Sequence, residues 1–334
     1  LLMADIPVTV IASRHVKALR TRHGLAGNKD DRSDAYVLAD ALRTDGHRLR
    51  QLRPDSPRTV ALRATVRARK DLVRHRVALV QQLEAHLALV FPGAVELFDD
   101  LSSPIARAFL LRFPSAERAA WLSPKRMACW LAAQRYSGRR TGAELHARLE
   151  AAPPGIAGVT SDAMAGVTVA YVRAIAAVRD QVDALEACIV EQLALHPDGH
   201  IFTSLPRAGG VRAAALLAEI GDCRERFPTP DSLACLAGAT PSTRQSGQHR
   251  AVTFRFACDK KLRDAIIDFA QDSRRASVWA ADLYARARAR GKSHPHAVRI
   301  LARAWIHVIW RCWQDHTTYD PSRHHALQRV LAAA

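Results

Sequence analysis

From Asp162 to Leu195 an apolar side chain recurs at almost every third or fourth position: Met164, Val167, Tyr171, Ile175, Val178, Val182, Leu185, Ile189 and Leu193. The stripe predicts one long helix whose apolar face must be buried against a partner. Thr59 to Val90 predicts a second. There Val66, Val73, Val80 and Leu87 repeat every seventh residue, a coiled-coil spacing, with Arg69, Arg76, Leu83 and Val90 at the partner positions. The early part of that seam is therefore polar. Pro92-Gly93 stops the earlier helix and His196-Pro197-Asp198-Gly199 the later one. Two such helices make the chain mostly α. They can pair antiparallel within one molecule or across subunits.

Three parts are expected around them: residues 1–50, 51–198 and 199–334. In the first, Ile6 to Ala12 is short and β-branched and reads as one buried strand. A short basic helix from Ser13 to Arg22, a glycine-containing loop from His23 to Asn28, and a helix with Val37, Leu38, Ala41 and Leu42 on one face follow. One strand and two helices read as the tail end of an α/β domain. The chain starts Leu1-Leu2 without Met, so an upstream portion is expected. In the second part, short helices broken by Pro104, Pro114 and Pro124 carry Trp121 and Trp130 as local core. Pro153-Pro154-Gly155 then punctuates the chain. In the third, a tight turn at Arg207 to Gly210 opens an Ala/Leu-rich helix, and a helix around Ser232 to Leu236 ends near Gly238. The polar stretch Pro241 to His249 reads as a loop. Trp305, Ile309 and Trp313 mark a further helix, and Asp320-Pro321 starts the last.

The charge balance narrows the partners. Lys and Arg number 49 against 32 Asp and Glu, a net charge of +17. A surface of that sign suits a polyanion, most commonly nucleic acid; an Arg-rich compositional bias is the plainer source. The six cysteines form no CxxC pair and no zinc or disulfide spacing, so they read as reduced, mostly buried thiols of a cytoplasmic protein. No apolar run approaches the ~20 residues of a membrane span, and no signal peptide is visible.

Five patterns carry candidate chemistry, most of them beside a plainer reading. Leu205-Pro206-Arg207-Ala208-Gly209-Gly210 before Ala213-Ala214-Ala215 is similar to the helix-hairpin-helix class, in which Gly209 and Gly210 let the backbone approach a phosphate and Arg207 and Arg212 add charge. That class has Gly where Arg207 stands, and an ordinary αα-hairpin fits the spacing as well. Asp31 and Asp34 lie three apart at a helix start and share a face, as a Mg²⁺ pair would, or as an N-cap and a first-turn acid would. Gln245-Ser246-Gly247, flanked by Arg244, His249 and Arg250, places a serine among cations. Ser246 could attack a phosphodiester there, or the stretch could be a plain polar turn. His294-Pro295-His296 and His324-His325 lack carboxylate or thiol partners at metal-ligand spacing. Arg274, Arg275, Arg286, Arg288, Arg290, Lys292 and Arg299, interleaved with Trp279 and Tyr284, suit a phosphate-tracking surface or a solvated face.

Taken together, these stretches resemble the DEDD transposases of the insertion sequence 110 family. Lys29 to Arg43 is similar to the end of that family's RuvC-like domain, and Leu205 through Gly247 to Arg263 to its C-terminal transposase domain. The resemblance implies a truncated RuvC-like α/β remnant, a coiled-coil helical middle, and a helical C-terminal domain with a helix-hairpin-helix-like element. It implies DNA cleavage and joining at mobile-element ends. Asp31 and Asp34 match the last two of four Mg²⁺-binding acids, the first Asp and the Glu being expected upstream of Leu1. Ser246 matches the nucleophile. Implied partners are double-stranded DNA of element ends and target, a structured non-coding RNA, and further copies in a dimer or tetramer. Two rivals are a catalytically inactive truncated remnant that only binds DNA, and a junction-binding repair factor using the hairpin alone.

Overall fold

The computed structural model of the chain describes residues 4, 6–23, 30–49, 51–247 and 249–332, with the side chains of 249 and 250 outside that description. Its frame is the pair of long helices. Helices α1 (Ser13–Arg20) and α2 (Asp31–Asp45) precede the first long one, α3 (Pro57–Val90). Four short helices follow: α4 (Pro104–Arg112), α5 (Ala116–Ala119), α6 (Pro124–Ala133) and α7 (Gly142–Ala151). The second long helix is α8 (Val159–Ala194). Beyond it come α9 (Gly199–Thr203), α10 (Gly209–Ile220), α11 (Pro230–Leu236), strands β1 (Ser242–Ser246) and β2 (His249–Thr253), α12 (Lys260–Ser273), α13 (Val278–Ala289), α14 (His294–Gln314) and α15 (His325–Ala332).

One local device starts several of these helices. The Ser56 hydroxyl accepts from the Thr59 amide at 3.3 Å, with Pro57 at the first helical position. The pairs Ser103-Pro104, Ser123-Pro124 and Thr229-Pro230 repeat the arrangement at α4, α6 and α11. Proline has no amide to leave unpaired and its fixed φ suits the first turn. Pro104 and Pro124, expected to break helices, therefore begin them.

The long helices pair antiparallel within the chain. Thr59 meets His196, Arg69 meets Glu186, and His86 meets Thr168, so positions rise along α3 as they fall along α8. Each end of the pair carries a core. At one end Leu83, Leu87, Val172 and Ile175 pack with Phe98 of the turn after α3 and with Phe109, Met127 and Leu145 of the short helices. At the other, Leu62, Val66, Ile189 and Leu193 pack with Phe202, Leu216, Phe269, Trp305 and Trp313. Midway along α3 the seam thins: Val73 and Val80 are half-buried, as the arginines at its partner positions require.

Five expectations are corrected. Ile6 to Ala12 forms no buried strand: Thr9 makes a single antiparallel bridge to Gln51, with Ile6 47% and Val10 70% exposed, because among the described residues no strand lies alongside to cover them. The α/β character of residues 1–50 is thus carried by the sequence alone. Trp130 packs on Phe109 and Phe113, but Trp121 is 55% exposed with Arg126 stacked on its ring. The cysteines are free, with Cys129 exposed and the other five half-buried. Helix α8 is long and apolar enough, by length and composition, to cross a membrane; its buried positions lie on the antiparallel seam and in the two cores. Lastly, Pro241 to His249 is not a loop.

Candidate functional site

Ser242–Ser246 and His249–Thr253 form an antiparallel hairpin, with Ser242 opposite Thr253, Arg244 opposite Ala251, Gln245 opposite Arg250 and Ser246 opposite His249. Two residues, Gly247 and Gln248, connect the strands. Such a turn demands positive φ at its first position, and Gly247 has φ 56°. Ser246 is consequently the last residue before the tip, and it is exposed together with Thr243, Arg244 and Gln245. Polar residues on both faces gave no period-two apolar signal, so sequence reading missed the strands; the Ser-Gly-Gln-His turn was the available clue.

The base of the hairpin is anchored. Arg255 donates from Nε to the Thr240 carbonyl and from Nη2 to the Pro241 carbonyl, both at 3.3 Å, tying the outgoing chain to the incoming one. Phe254 has the Arg299 guanidinium 4.8 Å and the Arg263 guanidinium 5.9 Å from its ring centre. Phe256 meets Phe254 edge-on at 4.8 Å and is 79% exposed. A cleft of roughly 500 Å³ beside the hairpin is lined by Thr240, Val252, Arg255, His296, Arg299 and Arg303. Burial, then the neighbouring Arg263, holds the Arg299 guanidinium below its ordinary pKa. Desolvation, then Arg299 and Lys292, does the same to His296. The electrostatic character of this region is positive.

At the other candidate site, the Asp30 carboxylate caps α2, accepting from the Ser33 amide at 2.7 Å. Asp31 and Asp34 are then both first-turn acids, a placement the helix dipole favours, and Asp31 is not the cap. Asp31 is exposed. Asp34 is clasped by Arg20, Nε to Oδ1 and Nη2 to Oδ2 both at 2.6 Å. Among the described residues no three His, Cys, Asp or Glu side chains converge as a metal-binding group. Mg²⁺ wants near-octahedral oxygen coordination. Two carboxylates, one of them neutralised by an arginine, do not by themselves make that sphere. The chain from 24 to 29, including the expected loop beyond His23 and Lys29, lies outside the described residues, as do the side chains of His249 and Arg250.

The turn before α10 divides its roles among neighbours. Gly209 has φ 58° with open space around it. Gly210 is needed for close packing, since a Cβ there would stand 2.7 Å from Val190 Cγ2. Arg207 itself has φ 57°, the left-handed conformation for which glycine is the usual residue. Its Nε lies 3.0 Å from Asp272 Oδ2, and Arg212 reaches Asp272 at 3.1 Å, Asp268 at 3.0 Å and the Arg207 carbonyl at 2.7 Å. The hydrogen bond from Arg207 holds Asp272 below the usual carboxylate range. Both arginines are thus engaged with α12. His294 and His324, read as weak metal candidates, bond Tyr284 and Tyr319 at 2.8 and 3.0 Å. Trp279 is buried, so it cannot face solvent among the basic helices, whereas Tyr284 is half-buried with Arg274 over its ring at 4.1 Å.

Comparison with known proteins places both regions in one lineage. Residues 1–92 match the family model of the IS110 DEDD transposase, and residues 199–285 that described as transposase of the IS116/IS110/IS902 family. The chain is 31% identical to the mini-circle transposase for IS117 of Streptomyces coelicolor, over 94% of this chain and 77% of the relative. It is 29% identical to the 42 kDa protein of insertion element IS900 from Mycobacterium paratuberculosis, over 91% of this chain and 77% of the relative. With the 43.6 kDa protein of insertion element IS110 from Streptomyces coelicolor it shares 31% identity, over 87% of this chain and 72% of the relative.

Proposed function

Since the chain belongs to the IS110 family of transposases, we propose that it recombines DNA at the ends of a mobile element with Ser246 as the nucleophile. The observation that carries this reading is the placement of Ser246, exposed one residue before the tip of a two-residue hairpin turn whose base is held by Arg255. A hydroxyl presented in this way can meet a phosphodiester in line. Its Oγ attacks phosphorus, the bond to the leaving sugar oxygen breaks, and that oxygen takes the proton lost by the serine. The strand is then held as a phosphoserine ester. Attack on the ester by the hydroxyl of a second strand reverses the step and restores the serine, so strands are exchanged without net hydrolysis.

Asp31 and Asp34 enter the reading as part of a Mg²⁺ site. When bound, the ion would stabilise charge on the phosphate under attack. The Arg20 clasp holds the Asp34 carboxylate in place, and no step is assigned to the pair alone. The turn at Arg207, Gly209, Gly210 and Arg212 serves as a helix-hairpin-helix-like contact to the DNA backbone, with Arg244, His249 and Arg250 of the hairpin as further contacts. The exposure of Gly209, with open space around it, and the net charge of +17 support this use. Double-stranded element ends and target are the substrates, a structured RNA serves as guide, and the protein works as a dimer or tetramer.

The decisive experiment incubates the protein with labelled element-end DNA and Mg²⁺ and resolves products on a denaturing gel. A protein-linked strand is expected, and Ser246→Ala should abolish it while leaving DNA binding unchanged. Persistence of the adduct in Ser246→Ala would shift the role to Ser242. DNA binding by the parent protein without any adduct would establish the non-catalytic DNA-binding reading in place of this one.

A further inference from the structure

The cleft at the base of the hairpin holds a cation that no carboxylate among the described residues neutralises. Two of its arginines are accounted for: Arg255 donates to two backbone carbonyls, and Arg303 lies 3.2 Å from Asp231; Arg263, whose guanidinium lies 5.9 Å from the centre of the same Phe254 ring, is 3.8 Å from Asp264. Arg299 is half-buried and rests on the Phe254 ring, and among the described residues it has no carboxylate partner. A guanidinium withdrawn from water beside a second guanidinium is unfavourable unless an anion arrives. Phe256, the residue that meets Phe254 edge-on, is 79% exposed, which is unusual for so large an apolar ring. A half-buried cation beside an exposed aromatic face is the pattern that grips a phosphate and stacks the base next to it.

We propose that this cleft binds an unpaired DNA strand, with Arg299 and Arg263 on a backbone phosphate and Phe256 stacked on the adjoining base. The assignment to DNA rests on the reading of Ser246 as the nucleophile, because the cleft and the serine share one hairpin. The strand from Ser242 to Ser246 spans only about 13 Å, the reach of about four stacked nucleotides. The site would hold the strand being cut a few nucleotides from the reacting phosphate. Unpaired DNA is favoured over duplex because a paired base offers no free face to Phe256.

Fluorescence anisotropy with a labelled thymidine homopolymer of about 12 nucleotides tests this, within the 4–16 nucleotides that single-strand sites usually cover. An abasic strand of the same length keeps the phosphates and removes the bases. Arg299→Gln should weaken binding of both strands about ten-fold and lower the salt slope by about 0.7, the contribution of one phosphate on a single strand. Phe256→Ala should weaken the thymidine strand about ten-fold and leave the abasic strand unchanged. Phe256 is too exposed for its removal to unfold the protein, so that variant remains informative if Arg299→Gln is unstable. Arg118→Gln, on the far helical region, is the control. Equal losses for Arg118→Gln, unchanged thymidine binding in Phe256→Ala, or tighter binding of duplex would each overturn the proposal. A uridine homopolymer that alone loses affinity in both variants would overturn the assignment to DNA. If the strand binds as expected but no serine adduct forms, the cleft stands and the nucleophile reading falls.

Discussion

His196 Nε2 lies 2.8 Å from Thr59 Oγ1, joining the chain just past α8 to the first turn of α3 where the helix pair meets the C-terminal core. The same ring accepts the Asp198 amide at Nδ1, 3.1 Å away, so the neutral tautomer with its proton on Nε2 fits both contacts. Burial is the largest influence and holds His196 below its ordinary pKa; Asp198 and Asp222 oppose it, and Arg58 and Arg224 reinforce it. The unfolded chain therefore binds a proton more readily than the folded one. The stabilising contribution is complete above the unfolded value of 6.5 and is lost as pH falls below it towards the depressed native value. His86 on α3 and His324 before α15 are shifted in the same direction, also chiefly by burial.

Urea unfolding should accordingly show stability falling below about pH 6.5, by up to about 1.4 kcal/mol per pH unit for each such histidine. His196→Gln should be less stable at neutral pH and should show a shallower acid slope. A slope unchanged by that substitution would assign the acid sensitivity to other groups.

A second prediction concerns Gly221, which ends α10. Its φ is 88°, and a Cβ would run into the Asp55 carboxylate. That carboxylate accepts from the Asp222 and Cys223 amides at 3.2 and 3.3 Å and pairs with Arg226 at 3.1 Å and with Arg63. A methyl group there strains the backbone and displaces a buried anion from its partners, so Gly221→Ala should cost about 3 kcal/mol or more. Chemical denaturation measures it. A loss below about 1 kcal/mol would show that the loop yields without disturbing Asp55.

The parts legible in the sequence were those where one strong periodic signal met an unambiguous stop. Val66 and Leu87 on α3, and Ile175 to Leu193 on α8, marked both long helices, and Pro92-Gly93 closed the first. The antiparallel pairing was not fixed, because spacing along one helix says nothing of its partner's direction. At Ile6 to Ala12 the β-branched run was real, yet a strand needs a neighbour, and Gln51 offers only one bridge. The hairpin bearing Ser246 failed in the opposite sense: its partner strand lies three residues on, but polar residues on both faces hid the alternation. Asp30 could not be told from Asp31 as the cap, since both precede the same apolar run. Arg299 and Phe256 were missed as a pair because more than forty residues separate them: Arg299 read as one of a run of basic residues, and Phe256 sits in no motif.

Arg207 offers the last prediction, because its backbone and its side chain have opposite preferences. At φ 57° a residue with a Cβ costs about 1–2 kcal/mol, which glycine avoids. The side chain offsets part of this through Asp272, but the arginine is 48% exposed, and such ion pairs contribute about 0–1 kcal/mol. Arg207→Gly removes both the strain and the pair, so its stability should lie within about 1 kcal/mol of the parent. Arg207→Ala removes the pair and keeps the strain, and should be less stable than Arg207→Gly by about 1 kcal/mol. This reverses the order found inside helices, where alanine exceeds glycine. Thermal unfolding of the two variants side by side decides it. Alanine more stable than glycine at this position would mean that the turn relaxes out of the left-handed region once the arginine releases Asp272.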